Sequence, residues 1–530
     1  MPALSRRAFI DRTARTALSA YALGHLGLPA ALAAQTAPNI VVIAADDLGW
    51  NDVGYHGSPI RTPNIDGLAA RGTQLDRFYA WPVCSPTRAA FLTGRSPDRL
   101  GVTEPITGDS ESHGLPLDEH LLPQTLSAAG YQTWICGKWH LGEDEGYRPH
   151  ERGFDHFYGH LGGQIDYYEH TSGRIDWQRN GRTVREEGYS TYLLADEAVS
   201  LIAGRDTDRP FFLYLPFNAP HTPLAAPQEL IDGYADIDAP ERRTFAAVVE
   251  AMDQSIGQVL DTLDAQGLTD NTLVLFFSDN GANSGQGGDN APLRGNKGQA
   301  FEGGIRTPAV LRWPGVIPGG AVAGQTVAVM DLFPTLAAAA GVATHNSRPF
   351  DGQSRWDALK GSAENTPPAA LVVLGTQVSA VFDGPWKLVR TPRGDFLYDV
   401  IADPDESEDR AAENPAVAQN LGALLDAAAA EDPTAVADTH TEPMTVQLAQ
   451  NYPNPFNAAT AIRFSLPDAA HVSLRIFNGA GQPVATLADR PLAAGSHALA
   501  FNAAGLPSGP YFAELRTGAS VRRIKMSLIK

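Results

Sequence analysis

Asn39-Ile40-Val41-Val42-Ile43-Ala44, followed one residue later by Asp46-Asp47, is the stretch on which the fold turns. An unbroken apolar run this short, closed by acidic residues, reads as a parallel strand buried on both faces rather than as a helix. Tyr131 to Cys136, Phe211 to Phe217 and Leu273 to Phe277 read the same way, and each ends in polar residues. Between the last two, Glu241 to Leu263 places Phe245, Val248, Val249, Met252, Ile256, Val259, Leu260 and Leu263 at three- and four-residue steps. That spacing makes one apolar helical face, which is core and not a binding stripe. From Pro38 onward, short apolar runs alternate with amphipathic stretches, so the expected class is α/β with a mainly parallel sheet flanked by helices.

The texture changes beyond residue 365. Leu371 to Leu374, Val378 to Phe382, Trp386 to Arg390 and Phe396 to Val400 are short strands separated by Gly and Pro turns, a meander. A helix from Pro415 to Ala430 is expected to close it against the main domain. A linker rich in Asp, Thr, Ala and Pro follows. Beyond it, Ala461 to Leu466, Val472 to Phe477, Ala498 to Phe501, Tyr511 to Arg516 and Val521 to Leu528 alternate with period two, as in a small β-sandwich. The expected organisation is therefore an N-terminal segment 1–34, an α/β domain 35–365, an antiparallel α+β subdomain 366–430, a linker 431–444 and a β-sandwich 445–530.

Composition narrows the function classes. The 530 residues are 43% hydrophobic and 19% charged, with a net charge of -20, which excludes a disordered or collagen-like chain. Residues 1–34 carry four arginines against one aspartate, and 445–530 carry eight basic against three acidic residues, so the intervening body stands near -28. Such a body repels a nucleic-acid backbone at long range, and no nucleic-acid partner is expected. Only Cys84 and Cys136 occur. One disulfide is arithmetically open, although an exported chain stapled for stability usually carries more. Ser5-Arg6-Arg7-Ala8-Phe9-Ile10, a weakly apolar stretch and Ala31-Leu32-Ala33 stand in the order of an export signal with cleavage near Ala33 or Ala34. The alternative is a frayed, Arg-rich helix. No later run is long and apolar enough for a transmembrane span.

Chemistry gathers where the strands end. Asp46-Asp47 and Ser278-Asp279-Asn280 each follow a strand, and the carboxyl ends of neighbouring parallel strands share one crevice. Three carboxylates and an amide oxygen suit Ca²⁺ or Mg²⁺ rather than zinc, while a pair alone is more often a helix cap or turn than a metal ligand. In Cys84-Ser85-Pro86-Thr87-Arg88, Pro86 fits a first helical turn, placing Cys84 at a helix N-terminus where an anion is favoured. A buried cysteine packed as a small hydrophobe is the other reading. Gly137-Lys138-Trp139-His140, Pro220-His221-Thr222 and Arg294-Gly295-Asn296-Lys297 add cations and histidines. Singly these are solvated loop residues. Together with the acidic pairs they are what a tetrahedral anion beside a metal ion requires.

These motifs, in this order from about Pro38 to Arg410, resemble the type I sulfatases of the alkaline-phosphatase superfamily. The resemblance implies that Cys84, in the Cys-x-Pro-x-Arg sequence, is converted to formylglycine by a formylglycine-generating enzyme and attacks as the aldehyde hydrate. It implies that Asp46, Asp47, Asp279 and Asn280, with the modified Cys84, hold one Ca²⁺, Mg²⁺ being the alternative. It further implies that Arg88 orients the hydrate, Lys138 and Lys297 clamp the sulfate, His140 is the base for hemiacetal breakdown and His221 the leaving-group acid. The function expected is hydrolysis of an aryl or carbohydrate sulfate ester. The rivals are a phosphonate or phosphodiester hydrolase of the same superfamily and a non-catalytic surface carbohydrate-binding protein.

Two further features resemble known signals. The N-terminal segment is similar to a twin-arginine export signal. Asn451-Tyr452-Pro453-Asn454-Pro455-Phe456-Asn457 and the β-rich region to Lys530 resemble a type IX secretion sorting domain. Secretion machinery is thus an implied partner, and the location is periplasmic, cell-surface or secreted. The loops Gly101 to Pro116 and His160 to Arg185, with Tyr167, Tyr168, His170, Trp177 and Arg179, are expected to line the outer pocket, suiting a sulfated sugar or serving as ordinary loop packing.

Overall fold

Asn39–Ala45 is the fifth strand of a ten-stranded sheet and is buried along its whole length. Its neighbours are Thr272–Ser278 on one side and Phe211–Pro216 on the other, both parallel to it. Gln132–Lys138 and then His156–His160 extend the parallel run. Beyond Thr272–Ser278 the sheet continues through antiparallel Ala309–Arg312 to Thr73–Tyr79 and Ala321–Ala328. The computed structural model describes residues 37–107, 113–344, 348–361, 370–375, 378–430, 447–448, 451, 456–457, 459–466, 469–479, 481–492, 495–503, 505–518 and 520–529. The export segment 1–34, the whole linker 431–444, residues 452–455 of the tail motif and 108–112 of the first pocket loop lie outside the described residues.

Side chains alternate across a strand, so the first strand feeds two cores. Ile40, Val42 and Ala44 join a cluster with the Cys84–Thr93 helix, and Val41, Ile43 and Ala45 join one with the Pro240–Ala265 helix. The long helix buries all eight apolar residues of the stripe read from the sequence.

The meander is a four-stranded antiparallel sheet, Leu371–Val373, Ser379–Asp383, Trp386–Thr391 and Gly394–Asp399. Val373, Ala380, Phe382 and Val389 pack into the first core, while Val381, Leu388 and Leu397 face the helix Pro415–Ala430 through Leu421 and Leu425. The helix therefore covers the far side of this sheet and does not close it against the main domain, because both faces of the meander are apolar. A fully buried ion cluster fastens the sheet: Lys387 Nζ lies 2.8 Å from both Glu302 and Glu406 carboxylates. Tyr79 donates its hydroxyl to Glu302 at 2.9 Å, and burial pushes Glu406 up to about 7 against the pull of Lys387. Lys387→Met strands two carboxylates and is expected to cost about 3–5 kcal/mol. All eight tryptophans lie before residue 387, so tryptophan fluorescence during denaturant unfolding checks this on the first unit alone. An unchanged midpoint would refute it.

The chain divides into two units, Met1–Thr434 and Ala435–Lys530. The second holds a three-stranded and a four-stranded antiparallel sheet around Ile462, Phe464, Val472, Leu474, Tyr511 and Leu515 among others. Among its long strands, one was not legible in the sequence, Pro483–Leu492. It is an edge strand carrying Pro at both ends of its polar face and a shifted register, which blurs the period-two pattern.

Candidate active site

The five parallel strands deliver their carboxyl ends to one edge of the sheet. Asp46-Asp47 follows the first strand, Asp279-Asn280 follows Ser278, and His140 comes two residues after Lys138. The loop to His221 follows Pro216, and Leu161-Gly162-Gly163 follows His160. Backbone bonds stitch these ends together: Asp46 N donates to Ala219 O and Asp279 N to Ala45 O, both at 3.0 Å. Asp47 and His140 adopt left-handed φ of 71° and 58°. L-residues pay for that conformation with steric strain, which the surrounding structure must hold in place.

Cys84 begins the helix Cys84–Thr93, with Pro86 in its first turn, and every residue of that helix is buried. The Cys84 sulfur lies 3.1 Å from His140 Nδ1. One turn on, Arg88 donates to Asp279 Oδ2 from Nε at 3.1 Å and Nη2 at 2.6 Å, and from Nη1 to Lys138 O at 3.0 Å. Lys138 Nζ donates to Asp46 Oδ2 at 2.7 Å, and Lys297 Nζ to Asp47 Oδ2 at 2.8 Å. Asn280 Nδ2 donates to Asp47 Oδ1 at 2.7 Å, and Asp47 N to Asp279 Oδ1 at 3.3 Å. His221 Nε2 stands 3.7 Å from Asp47 Oδ2. Its Nδ1 lies 2.6 Å from Thr222 O, which only accepts, so Nδ1 carries a proton. Eight of the ten residues singled out in the sequence thus share one contact network, and the other two, Cys84 and His140, pair with each other.

Electrostatics sort these groups. Burial would raise Asp46 and Asp47, yet Lys138, His221 and Arg88 bring the first below its ordinary value, and Lys297 and His221 the second. Asp279 is raised, by burial and then by Asp46, despite Arg88. Burial, reinforced by Lys138 and Arg88, holds His140 far below the usual imidazole range, so its ring is neutral. Burial also pushes the Cys84 thiol up, outweighing Lys138 and Lys297. An unmodified thiol here is protonated at neutral pH and a poor nucleophile. Cys136 lies in the opposite core, and both cysteines are free, which closes the disulfide alternative.

The donor set fits a hard divalent cation. Asp46 Oδ1 and Asn280 Oδ1 are buried without any hydrogen-bond partner, the state expected of oxygens meant for an ion. Ligand atoms of Asp46, Asp47 and His221 all lie within 4.8 Å of one another. Three carboxylates are balanced by Arg88, Lys138 and Lys297. A divalent cation would make the cluster net positive, as an anionic ester requires.

A cavity of about 770 Å³ opens from Cys84, His140, His221 and Lys297. The two predicted loops do line it, through Ile106, Thr107, Gly163, Gln164 and Arg174 among others. The five side chains named for that role do not. Tyr167, His170 and Trp177 are buried, Arg179 pairs with Glu197 and Glu186, and Tyr168 is exposed outside the cavity wall. Aromatic rings carry large apolar area, and these stack on one another and on Tyr189 instead. Tyr167 nevertheless serves the site, since its hydroxyl donates to His221 O at 2.9 Å. Ser85 does likewise, donating to His140 O at 2.8 Å and accepting from Ile106 N at 3.0 Å. Neither role has a spacing signal of its own.

An α/β sheet whose strand ends gather carboxylates, cations and histidines around one buried side chain at a helix N-terminus defines a class built to handle a tetrahedral anion. Comparison with known proteins gives that class its family. The chain belongs to the sulfatase family, whose model matches residues 38–342. The model described as a secretion system C-terminal sorting domain matches residues 450–530. Arylsulfatase J from Mus musculus is 36% identical over 343 residues, 62% of this chain and 57% of that protein. N-acetylgalactosamine-6-sulfatase from Canis lupus familiaris is 37% identical over 371 residues, 65% of this chain and 69% of that protein. Among solved structures, Ps i-CgsB in complex with k-i-k-neocarrahexaose is 33% identical, with a TM-score of 0.71 over 74% of this chain and 92% of that one.

Proposed function

We propose that this protein is an exported sulfuric ester hydrolase that removes sulfate from a carbohydrate or aryl sulfate through a formylglycine formed from Cys84. The observation that carries this reading is Cys84 itself, buried at a helix N-terminus, 3.1 Å from a neutral His140 and unsuited to act as a thiolate. Conversion by a formylglycine-generating enzyme replaces the thiol with an aldehyde whose hydrate carries two hydroxyls. One, its proton lost to water, attacks sulfur and breaks the bond from sulfur to the ester oxygen, while His221, its Nδ1 proton held by Thr222 O, gives a proton from Nε2 to that departing oxygen. The second hydroxyl loses its proton to His140, the carbonyl reforms, sulfate departs, and water rehydrates the aldehyde. Lys138 and Lys297 hold the sulfate oxygens, and Arg88, fixed by Asp279 and Lys138 O, orients the hydrate. Asp46, Asp47, Asp279, Asn280 and the modified Cys84 would hold Ca²⁺, with Mg²⁺ as the alternative. Bound there, the ion would polarise the sulfate and lower the pKa of the nucleophile.

Beyond these residues the wall bears hydroxyl, amide and charged groups beside Pro105 and Ile106 and, among the described residues, no aromatic ring to stack on a flat aryl group, which suits a saccharide better. The names of the relatives, N-acetylgalactosamine-6-sulfatase and a structure holding a neocarrahexaose, point the same way. The sorting domain directs export by a type IX secretion machinery, and no helix among the described residues is long and apolar enough to cross a membrane. Enzyme produced with its maturation partner should release sulfate from N-acetylgalactosamine 6-sulfate or carrageenan oligosaccharides and leave an aryl phosphonate intact. Preference for the phosphonate would replace this reading with the superfamily rival, and binding without turnover of either would replace it with a carbohydrate-binding role.

Gly163 sets the orientation of His140: a Cβ there would lie 2.6 Å from both Cε1 and Nε2 of the imidazole. Gly163→Ala should therefore lower kcat about 10²-fold by displacing the ring while leaving Tm nearly unchanged. Steady-state kinetics beside a thermal melt check it, and full activity would mean that the ring is not the base.

A further inference from the structure

We propose that Arg174 recognises a second anionic substituent, so that the preferred substrate is a saccharide bearing a sulfate or carboxylate besides the ester that is cleaved. This deepens the reading given above and rests on it. Arg174 follows Gly173 at the tip of the hairpin formed by Thr171–Ser172 and Arg174–Ile175, and all three of Ser172, Gly173 and Arg174 line the cavity that opens from Cys84. Its guanidinium pairs with Glu143, which lines the same cavity three residues after His140. The other acidic group of the wall, Asp176, is committed to the backbone, accepting from Leu161 N at 3.1 Å and Gly162 N at 2.7 Å. Glu143 is thus the only charged partner on the wall that Arg174 has among the described residues.

The pair is built to exchange. The Arg174 side chain is 76% exposed and that of Glu143 34%, so solvent screens their attraction and little is lost when they part. A guanidinium presents a planar fork that takes a carboxylate or a sulfate equally well, and an anion on the substrate can replace the Glu143 carboxylate in that geometry. The hairpin base does not share the freedom of the tip. Asp166 N donates to Thr171 O at 2.9 Å and Asp176 N to His170 O at 3.0 Å, and the His170 ring stacks on buried Trp177 at 4.5 Å. The base therefore keeps the hairpin, and with it the cation at its tip, on the rim of the cavity. Around it lies a strongly acidic protein, net charge -20, which opposes the approach of a polyanion and leaves short-range recognition to such local cations. A substrate with no second charge leaves Arg174 with Glu143.

Three galactose-based disaccharides separate the cases: one with a single sulfate ester, one with a second sulfate on the adjoining ring, and one with a uronate there. In matured enzyme, Arg174→Ala should raise KM about tenfold for at least one of the two dianionic substrates, with kcat unchanged, and move KM for the monosulfated one less than twofold. Arg174→Lys should recover part of the loss, and the substrate that responds tells sulfate from carboxylate. Equal effects on all three, or none, would overturn the proposal. Calorimetry in the Cys84→Ala background reads the same contrast without turnover, as a tenfold weaker Kd for the dianionic ligand alone; no such difference would also overturn it. Absence of sulfate release by the wild-type enzyme, with the calorimetric contrast preserved, would instead sink the hydrolase reading and keep Arg174 as an anion site.

Discussion

Cys84→Ser is expected to fold normally and to lose sulfate release by about 10⁴-fold or more, the scale on which removal of a covalent nucleophile acts. The substitution keeps a small side chain at the first position of Cys84–Thr93 and leaves undisturbed the contacts Arg88 makes with Asp279 and Lys138. It takes away the group that maturation oxidises. Serine in place of the aldehyde hydrate has one hydroxyl and not two, so even if it were sulfated it would have no second hydroxyl whose deprotonation by His140 expels the product. The check has two parts: sulfate release by the variant, and mass spectrometry of the wild-type peptide containing Cys84. Fully active enzyme with an unmodified thiol would sink the mechanism. Cys136, buried in the opposite core with its thiol raised by burial, is the natural control, since its replacement should leave turnover intact.

The parts of this site that were legible in the sequence are those with local causes. Asp46-Asp47 and Asp279-Asn280 could be read because each follows a continuous apolar strand, and Cys84 because Pro86 marks a helix start. The long helix was legible because eight apolar residues keep one spacing. What escaped depends on contacts between distant segments. Lys387 meets Glu302 across 85 positions, and Gly163 matters only because the His140 ring lies against it. The aromatic residues of the His160 to Arg185 loop were misplaced for a related reason. Sequence identifies them as rings in a loop, but whether a ring faces a cavity or a neighbouring ring is settled by packing, and Tyr167, His170 and Trp177 found partners inside.

Asp47→Asn should lower turnover about 10³-fold, the loss expected when a hard cation worth several kcal/mol to the transition state is no longer held. Asp47 is the centre of the acidic cluster: its carboxylate meets Lys297 and Asn280, lies 3.7 Å from His221, and its own amide reaches Asp279. Asparagine preserves the shape and removes the charge that would bind the ion. The fold should survive, because Lys138 and Arg88 still neutralise Asp46 and Asp279, and Lys297 is partly exposed and can turn to water. Chelation should act on the wild-type enzyme in the same direction, with Ca²⁺ or Mg²⁺ restoring activity. A second readout needs no turnover: Ca²⁺ at a hundred times its Kd should stabilise the wild-type protein by about 2.7 kcal/mol and raise its Tm, while the variant gains little. Equal stabilisation of both would remove Asp47 from the ligand set. Rescue of the chelated enzyme by zinc alone would mean that nitrogen, with His221 the nearest source, and not an all-oxygen shell, holds the ion.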